Sequence, residues 1–325
     1  MHIDPSLYWV HRTVIGCRMI LAAGLTPAWQ QILVFDQLFL GEVNRAAEVH
    51  CCASGKVLNV GVALHHLGAA SRTLAAGGGW SLAAMQGDLQ QLGVPCRWIT
   101  TASPTRVCTT VLDSGGQMTT ELVENSPEFS ADELAQYQHA YLEEAATAEV
   151  VVLSGSLPAK TPETYYRDLV ARTPGRVVLD VRGAELLHAL QSKPFLVKPN
   201  RAELAKTLNR NLRHDADLQT SMLELNAGGA RWVVITDGPH AVWVSSASQI
   251  WKVQPPAIDV VNPIGSGDAL AAGIAAGLDA GVEVLWAVRQ GVAAAVDNAT
   301  QLLPCRLDPQ RVGELQKSVI ITTAN

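Results

Sequence analysis

The sequence predicts an α/β protein built on a doubly wound, mostly parallel sheet flanked by helices, with a small antiparallel β lid. Three observations point there. From residue 131 onward, short apolar runs alternate with helical stretches, the pattern of a sheet covered on both faces. One segment of the first half instead alternates polar with apolar residues and a second is built around a hairpin turn, as exposed antiparallel strands are. Apolar residues are 48% of 325 and charged residues only 17%, enough to bury a large core and too apolar for a disordered chain.

Taken in order, Met19–Ala23 is an apolar run closed by Gly24, a buried parallel strand. Residues 32–54 alternate, through Ile32–Phe35, a turn near Gly41, and Ala47–His50. Residues 55–68 read as a helix with Leu58, Val62 and Leu67 on one face, and 81–93 as a second one stopped at Gly93. Val107–Leu112 and Met118–Val123 flank Asp113-Ser114-Gly115-Gly116, a hairpin turn. Helices at 131–146, 162–172 and 184–190 then alternate with strands at 150–153, 177–180 and 195–197. Helices 201–208 and 216–228 precede a strand at 232–235. Helices 270–281 and 287–299 are rich in Ala and Gly, so they can pack closely. His65-His66 and Glu143-Glu144 have no partners at metal-ligand spacing and read as solvated helix faces. The domain organisation expected is an N-terminal extension over 1–17 and one α/β domain over 18–310. Segments 31–54 and 97–124 form its inserted lid, and 311–325 form a C-terminal tail.

Charge and cysteine content exclude several classes. With 24 Lys+Arg against 30 Asp+Glu the net charge is −6, and no basic patch stands out, so no nucleic-acid partner is expected. Six cysteines form no C-x-x-C pair and read as reduced thiols, and adjacent Cys51 and Cys52 would point to opposite faces of a strand. No stretch reaches ~18 uncharged apolar residues, so no membrane partner is expected and the cytoplasm is the expected location. Val14-Ile15-Gly16-Cys17 looks like a lipoprotein box, but Asp4, His11 and Arg12 stand where an apolar run is required.

The sharpest segment is Asn262-Pro263-Ile264-Gly265-Ser266-Gly267-Asp268, followed at once by a helical stretch. Small residues let backbone N–H groups converge on an anion, and a helix N-terminus adds a favourable field. Asp268 falls in the first helical turn, where a base could take the proton of a hydroxyl attacking phosphorus. Asp and Ser also cap helices, so the short motif alone has two readings.

The motif is not alone. Residues 262–275 resemble the C-terminal signature of the PfkB (ribokinase-like) carbohydrate kinase family. Lys198-Pro199-Asn200-Arg201-Ala202-Glu203-Leu204, Ser154-Gly155-Ser156-Leu157-Pro158, Val178-Leu179-Asp180 with Gly183, and Ile235-Thr236-Asp237-Gly238 resemble further segments of that family, in family order. Gly41-Glu42-Val43-Asn44-Arg45, Ser54-Gly55-Lys56-Val57-Leu58-Asn59 and Thr105-Arg106-Val107-Cys108 resemble its 1-phosphofructokinase and tagatose-6-phosphate kinase branch.

The resemblance implies a ribokinase-like fold and an ATP-dependent kinase. It would transfer the γ-phosphoryl group to a hydroxyl of a hexose phosphate of the fructose-1-phosphate or tagatose-6-phosphate kind. Asp268 would be the base, and the backbone of Gly265, Ser266 and Gly267 the anion hole. Asn200, Thr236, Gly238 and Asn298 would lie at ATP, and Glu203 would hold Mg²⁺ through water. Gln30, Arg45, Lys56, Asn59, Arg106, Ser156 and Asp180 would serve the sugar or sugar phosphate. The lid is the candidate surface for a homodimer. Each role has a plainer counterpart: Asn200 and Glu203 spell a capping box, and Arg106 could be an edge-strand charge. Three departures fall on the substrate side. Gln30 replaces an aspartate, Val57 replaces a glycine where positive φ is expected, and Leu82 ends a glycine-rich run. They keep open a kinase of an unphosphorylated sugar or nucleoside, and a non-catalytic nucleotide- or sugar-binding homologue. A dehydrogenase is set aside because no G-x-G-x-x-G follows the first strand.

Overall fold

The chain is described here by a computed structural model covering residues 19–324; the extension expected over 1–17, with its lipoprotein-like box, lies outside the described residues. The strand β1 (Ile20–Gly24) is followed by β2 (Ala28–Phe35), β3 (Glu48–Ser54), α1 (Lys56–His66), β4 (Ser71–Gly77), α2 (Gly79–Leu92) and β5 (Cys96–Thr100). Next come β6 (Val107–Asp113), β7 (Met118–Val123), α3 (Ala131–Ala145), β8 (Val150–Ser154), α4 (Tyr165–Ala171), β9 (Arg176–Asp180), α5 (Gly183–Leu190) and β10 (Leu196–Val197). The rest is α6 (Arg201–Leu208), α7 (Asp215–Ala227), β11 (Trp232–Ile235), β12 (Val242–Ser245), β13 (Ile250–Gln254), α8 (Ser266–Asp279), α9 (Val284–Ala299), α10 (Pro309–Ser318) and β14 (Ile320–Thr323).

The main sheet runs β14-β13-β12-β11-β10-β9-β8-β1-β4-β5. It is parallel from β5 to β11 and antiparallel from β11 to β14. β1 is fully buried because alternate residues serve opposite layers. Ile20 and Ala22 join the core beneath α1, α8 and α9, while Leu21 and Ala23 join the core beneath α3 to α7. The small residues of α8 and α9 do bring those helices together: a Cβ on Gly273 would stand 2.6 Å from Gly291 Cα.

The lid differs from the expected segments. It is a four-stranded sheet in the order β3-β2-β6-β7. Its outer pairs are antiparallel and its central β2–β6 pair is parallel. It starts at Ala28, and its second part is only 107–123, because β5 pairs with β4 on the edge of the main sheet. β5 is part-exposed along its length, as an edge strand covered on one side is. The expected tail is likewise folded: α10 spans 309–318 and β14 completes the main sheet beside β13. β4, β12 and β13 are not among the expected strands. Glu144 is not on a solvated face; it is buried and paired with Arg72 at 2.7 Å and Arg97 at 3.0 Å. Among the described residues no helix is long and apolar enough to cross a membrane.

Candidate active site

β1, β4, β8, β9, β10 and β11 all end on one edge of the parallel sheet, and β1 pairs with both β4 and β8. Strand order reverses there, which opens a crevice beyond the carboxyl ends. The lid overhangs it, and one continuous cleft runs from the lid residues Gln30 and Cys108 to Thr236 and Gly238.

The anion loop stands at its centre. Gly265 takes φ +85° as the N-cap of α8, so Asp268 and Ala269 N–H both donate to its carbonyl, at 3.0 and 2.8 Å. A side chain at this position would also stand 2.9 Å from Pro304 Cβ. Ser266 N–H turns inward to Pro263 O at 3.2 Å, so the expected three-amide hole does not include it. Asp268 is buried in the first turn and accepts a 2.7 Å hydrogen bond from Asn59 Nδ2. Asn59 is held in turn by Ser54 Oγ at 3.0 Å. Burial pushes the Asp268 carboxyl up to about 6, partly offset by the Lys56 charge.

A second carboxylate is tuned the other way. Asp180, at the end of β9, is buried with Lys56 Nζ at 2.9 Å and Lys198 Nζ at 3.2 Å. Burial alone would raise it, but Lys198 and Lys56 hold it below the usual carboxylate range. Burial pulls Lys56 down; Asp180, Glu203 and Asp268 together leave it above its ordinary value. Neighbouring carboxyls with pKa values driven apart allow one to stay charged while the other trades protons near neutrality.

Lys56 sits here because Gly55 turns the chain at φ +84°, against Ala28 N and Pro27 Cα, where no side chain fits. The positive φ expected at position 57 falls at Gly55 instead. Val57 is a buried helical residue, which removes the objection to its bulk.

Glu203 and Asn200 form a reciprocal capping box at α6: Asn200 Oδ1 accepts from Glu203 N at 2.7 Å, and Glu203 Oε2 accepts from Asn200 N at 3.0 Å. Glu203 Oε1 remains turned to the cleft, 3.8 Å from Lys56 Nζ. One outward carboxylate oxygen fits a Mg²⁺ ion that keeps most of its waters. Among the described residues no group of three or more His, Cys, Asp or Glu is placed to cage a metal.

Gln30, Arg106 and Ser156 also line the cleft, as do Thr236 and Gly238. Gln30 Nε2 donates to Thr110 Oγ1 at 2.8 Å. Arg106 is committed to main-chain carbonyls, donating to Thr26 O at 3.0 Å and to Pro27 O and Glu124 O at 3.3 Å each. Two expected residues are not brought to the site. Arg45 is exposed on the loop after β2 and does not line the cleft. Asn298 is fully buried: its amide donates to Ile264 O and Ser266 Oγ at 2.9 Å and accepts from Cys305 N at 2.6 Å. Every arm is used inside the protein, so it braces the anion loop rather than facing a nucleotide.

Two residues were missed as site residues. Lys198 opens the K-P-N segment; it is buried, and a Cβ on Gly267 would meet its Nζ at 3.4 Å. Glu121 lines the lid end of the cleft, where burial raises its carboxyl against the charge of Arg106.

The sequence matches the family described as pfkB family carbohydrate kinase over residues 21–306. Three solved structures share the fold. A protein described as a possible 1-phosphofructokinase from Thermotoga maritima superimposes with a TM-score of 0.87 at 19% identity, over 95% of this chain and 100% of that one. Escherichia coli phosphofructokinase-2 in complex with fructose-6-phosphate gives 0.83 at 24% identity, over 94% and 99%. Ribokinase from Thermotoga maritima gives 0.73 at 17% identity, over 93% and 99%.

Proposed function

Since the chain belongs to the pfkB family of carbohydrate kinases, we propose that it transfers the γ-phosphoryl group of ATP to a hydroxyl of a hexose phosphate, with Asp268 as general base. It is a phosphotransferase with an alcohol group as acceptor. The observation that carries the finer reading is Asp268 itself: buried, aimed by Asn59, at the mouth of the anion loop, with its carboxyl near 6.

In this reading the acceptor lies under the lid against Gln30, Ser156 and Arg106. Asp268 takes the hydroxyl proton as the oxygen–phosphorus bond forms and the bond to the bridging oxygen of ATP breaks. The loop's remaining backbone N–H groups and Lys198 face the oxygens that carry the developing charge. Lys56 and Lys198 keep Asp180 ionised beside the sugar. Glu203 would hold Mg²⁺ through its waters, and the ion would neutralise phosphate charge. The exposed apolar residues Phe39, Leu40, Val43, Met118 and Leu122 support the lid as a surface for self-association.

A second reading, an unphosphorylated acceptor, is favoured by the engagement of Arg106 with three carbonyls and by Glu121 at the same end of the cleft. ATP consumption across hexose phosphates and free hexoses, with products identified by mass, tests both. The leading reading expects Arg106→Ala to lower kcat/KM by roughly one to two decades for phosphorylated acceptors alone, since a charge-assisted bond is worth ~1.5–3 kcal/mol. Preference for a free hexose, with Arg106→Ala silent, would replace it by the second reading.

The pH dependence follows from Asp268. Its raised pKa means protonation on acidification, so kcat/KM is expected to fall below pH about 6 with unit slope. A flat profile down to pH 5 would remove Asp268 from the proton path.

A further inference from the structure

Asp88 and Arg306 lie outside the cleft, yet they join its two working parts. Asp88, on α2, accepts the N–H of Ala53 through Oδ2 at 2.8 Å. Ala53 is the penultimate residue of β3, next to the Ser54–Gly55 hinge that leads from the lid into α1, Lys56 and Asn59. The same carboxylate receives Arg306 Nη2, at 3.1 and 3.4 Å from its two oxygens. Both side chains are largely buried, at 15% exposure for Arg306 and 20% for Asp88. Arg306 Nη1 is buried without a hydrogen bond, so among the described residues Asp88 is the one side chain that answers this cation.

Arg306 follows Cys305, which adopts φ +62°. Cys305 N donates to Asn298 Oδ1 at 2.6 Å, its Sγ lies 3.5 Å from Gly265 O, and Asn298 Nδ2 holds Ile264 O and Ser266 Oγ. A left-handed backbone in a non-glycine residue persists only where its surroundings enforce it. Here the enforcing contacts are the anion loop on one side and the Arg306–Asp88 pair on the other.

We propose that Asp88 and Arg306 are a positioning pair for phosphoryl transfer, fixing the anion loop 264–268 relative to the hinge that carries the lid, Lys56 and Asn59. Asp268 is then reached from two directions, through Ser54 and Asn59 and through Arg306, Cys305 and Asn298. The pair holds base, anion hole and lid in one register, and misplacement of an ångström can cost a large factor in rate. The inference rests on reading 264–268 as the transfer loop.

The test uses Asp88→Asn, Arg306→Gln and the milder Arg306→Lys in the full chain. Asp88→Asn and Arg306→Gln should each lower kcat about tenfold per folded molecule with KM for ATP within about threefold. Arg306→Lys should retain more activity than Arg306→Gln, and the double variant should be no slower than the slower single one, because one link is broken once. Hydrogen exchange supplies a readout that needs no acceptor. In Asp88→Asn, peptides over 50–55 and over 262–268 should both exchange at least about fivefold faster, while 150–154 stays unchanged. A response at 50–55 alone, or kcat within about twofold of the parent in both charge-removing variants, overturns the proposal. If the parent phosphorylates no sugar at all, the kinase reading fails, and the exchange result still decides whether the two segments are tied.

Discussion

Asp268→Asn is expected to lower phosphoryl transfer by ~10²–10⁴-fold while leaving ATP binding within a few-fold of the parent. Asparagine matches the carboxylate in size and can still accept from Asn59 Nδ2 through its carbonyl, so the loop should keep its shape. What is lost is the ability to take a proton at neutral pH. The stability change carries its own sign. Burial raises the Asp268 carboxyl from 3.8 to about 6, so the native state binds more protons than the unfolded chain between those values. Stability therefore falls as pH rises through that window, and the ionised group costs stability at pH 7. Asp268→Asn should be at least as stable as the parent at pH 7.5, with the margin closing as pH drops from about 6 to about 4. Single-turnover rates, equilibrium ATP binding and urea midpoints at two pH values check this. Turnover within a few-fold of the parent would remove Asp268 as the base.

Lys198→Met should damage both fold and chemistry. Lys198 and Asp180 are 4% and 1% exposed, and removing one partner of such a pair leaves a buried charge unanswered. Lys56 stays on the other oxygen, so the loss belongs at the low end for a broken buried pair, about 3 kcal/mol. Lys198 also lies against the backbone of Gly267, where the transferring group is expected, and losing one such charge stabiliser typically costs ~10²–10³-fold in kcat. The urea midpoint at unchanged slope reports the first effect, and kcat under conditions where the variant is folded reports the second. A destabilised variant with parental kcat would make Lys198 a structural counter-ion to Asp180 and nothing more.

The alternation of strand and helix from β8 to β11, the anion loop and the capping box at Asn200 were legible in the sequence because each is written within a few residues. An apolar run of four reads as a strand buried on both faces, and Asn200 with Glu203 makes a cap wherever that turn goes. The resemblance extended this local reading to Asp180 and Lys56. β4 carried a local signal that went unused, since its Leu74-Ala75-Ala76-Gly77 repeats the Leu21-Ala22-Ala23-Gly24 of β1, its neighbour in the sheet.

Other features belong to the tertiary structure alone. Residues 97–100 fall within the segment expected as lid, and only the pairing of β5 with β4 assigns them to the main sheet. Residues 311–325 look like a tail until β13 offers an edge for β14. Asn59 meets Asp268 across 209 residues of sequence, and Lys56 meets Asp180 across 124. No periodicity encodes such contacts, because which side chains share a cleft depends on how strand ends converge after the chain has reversed its order. The same holds for electrostatics. Asp180 and Asp268 are the same residue type, yet two lysines keep one ionised and desolvation raises the other. Asn298 makes the point from the other side: its residue type fits a nucleotide contact, but full burial and three internal hydrogen bonds commit it to the loop it supports.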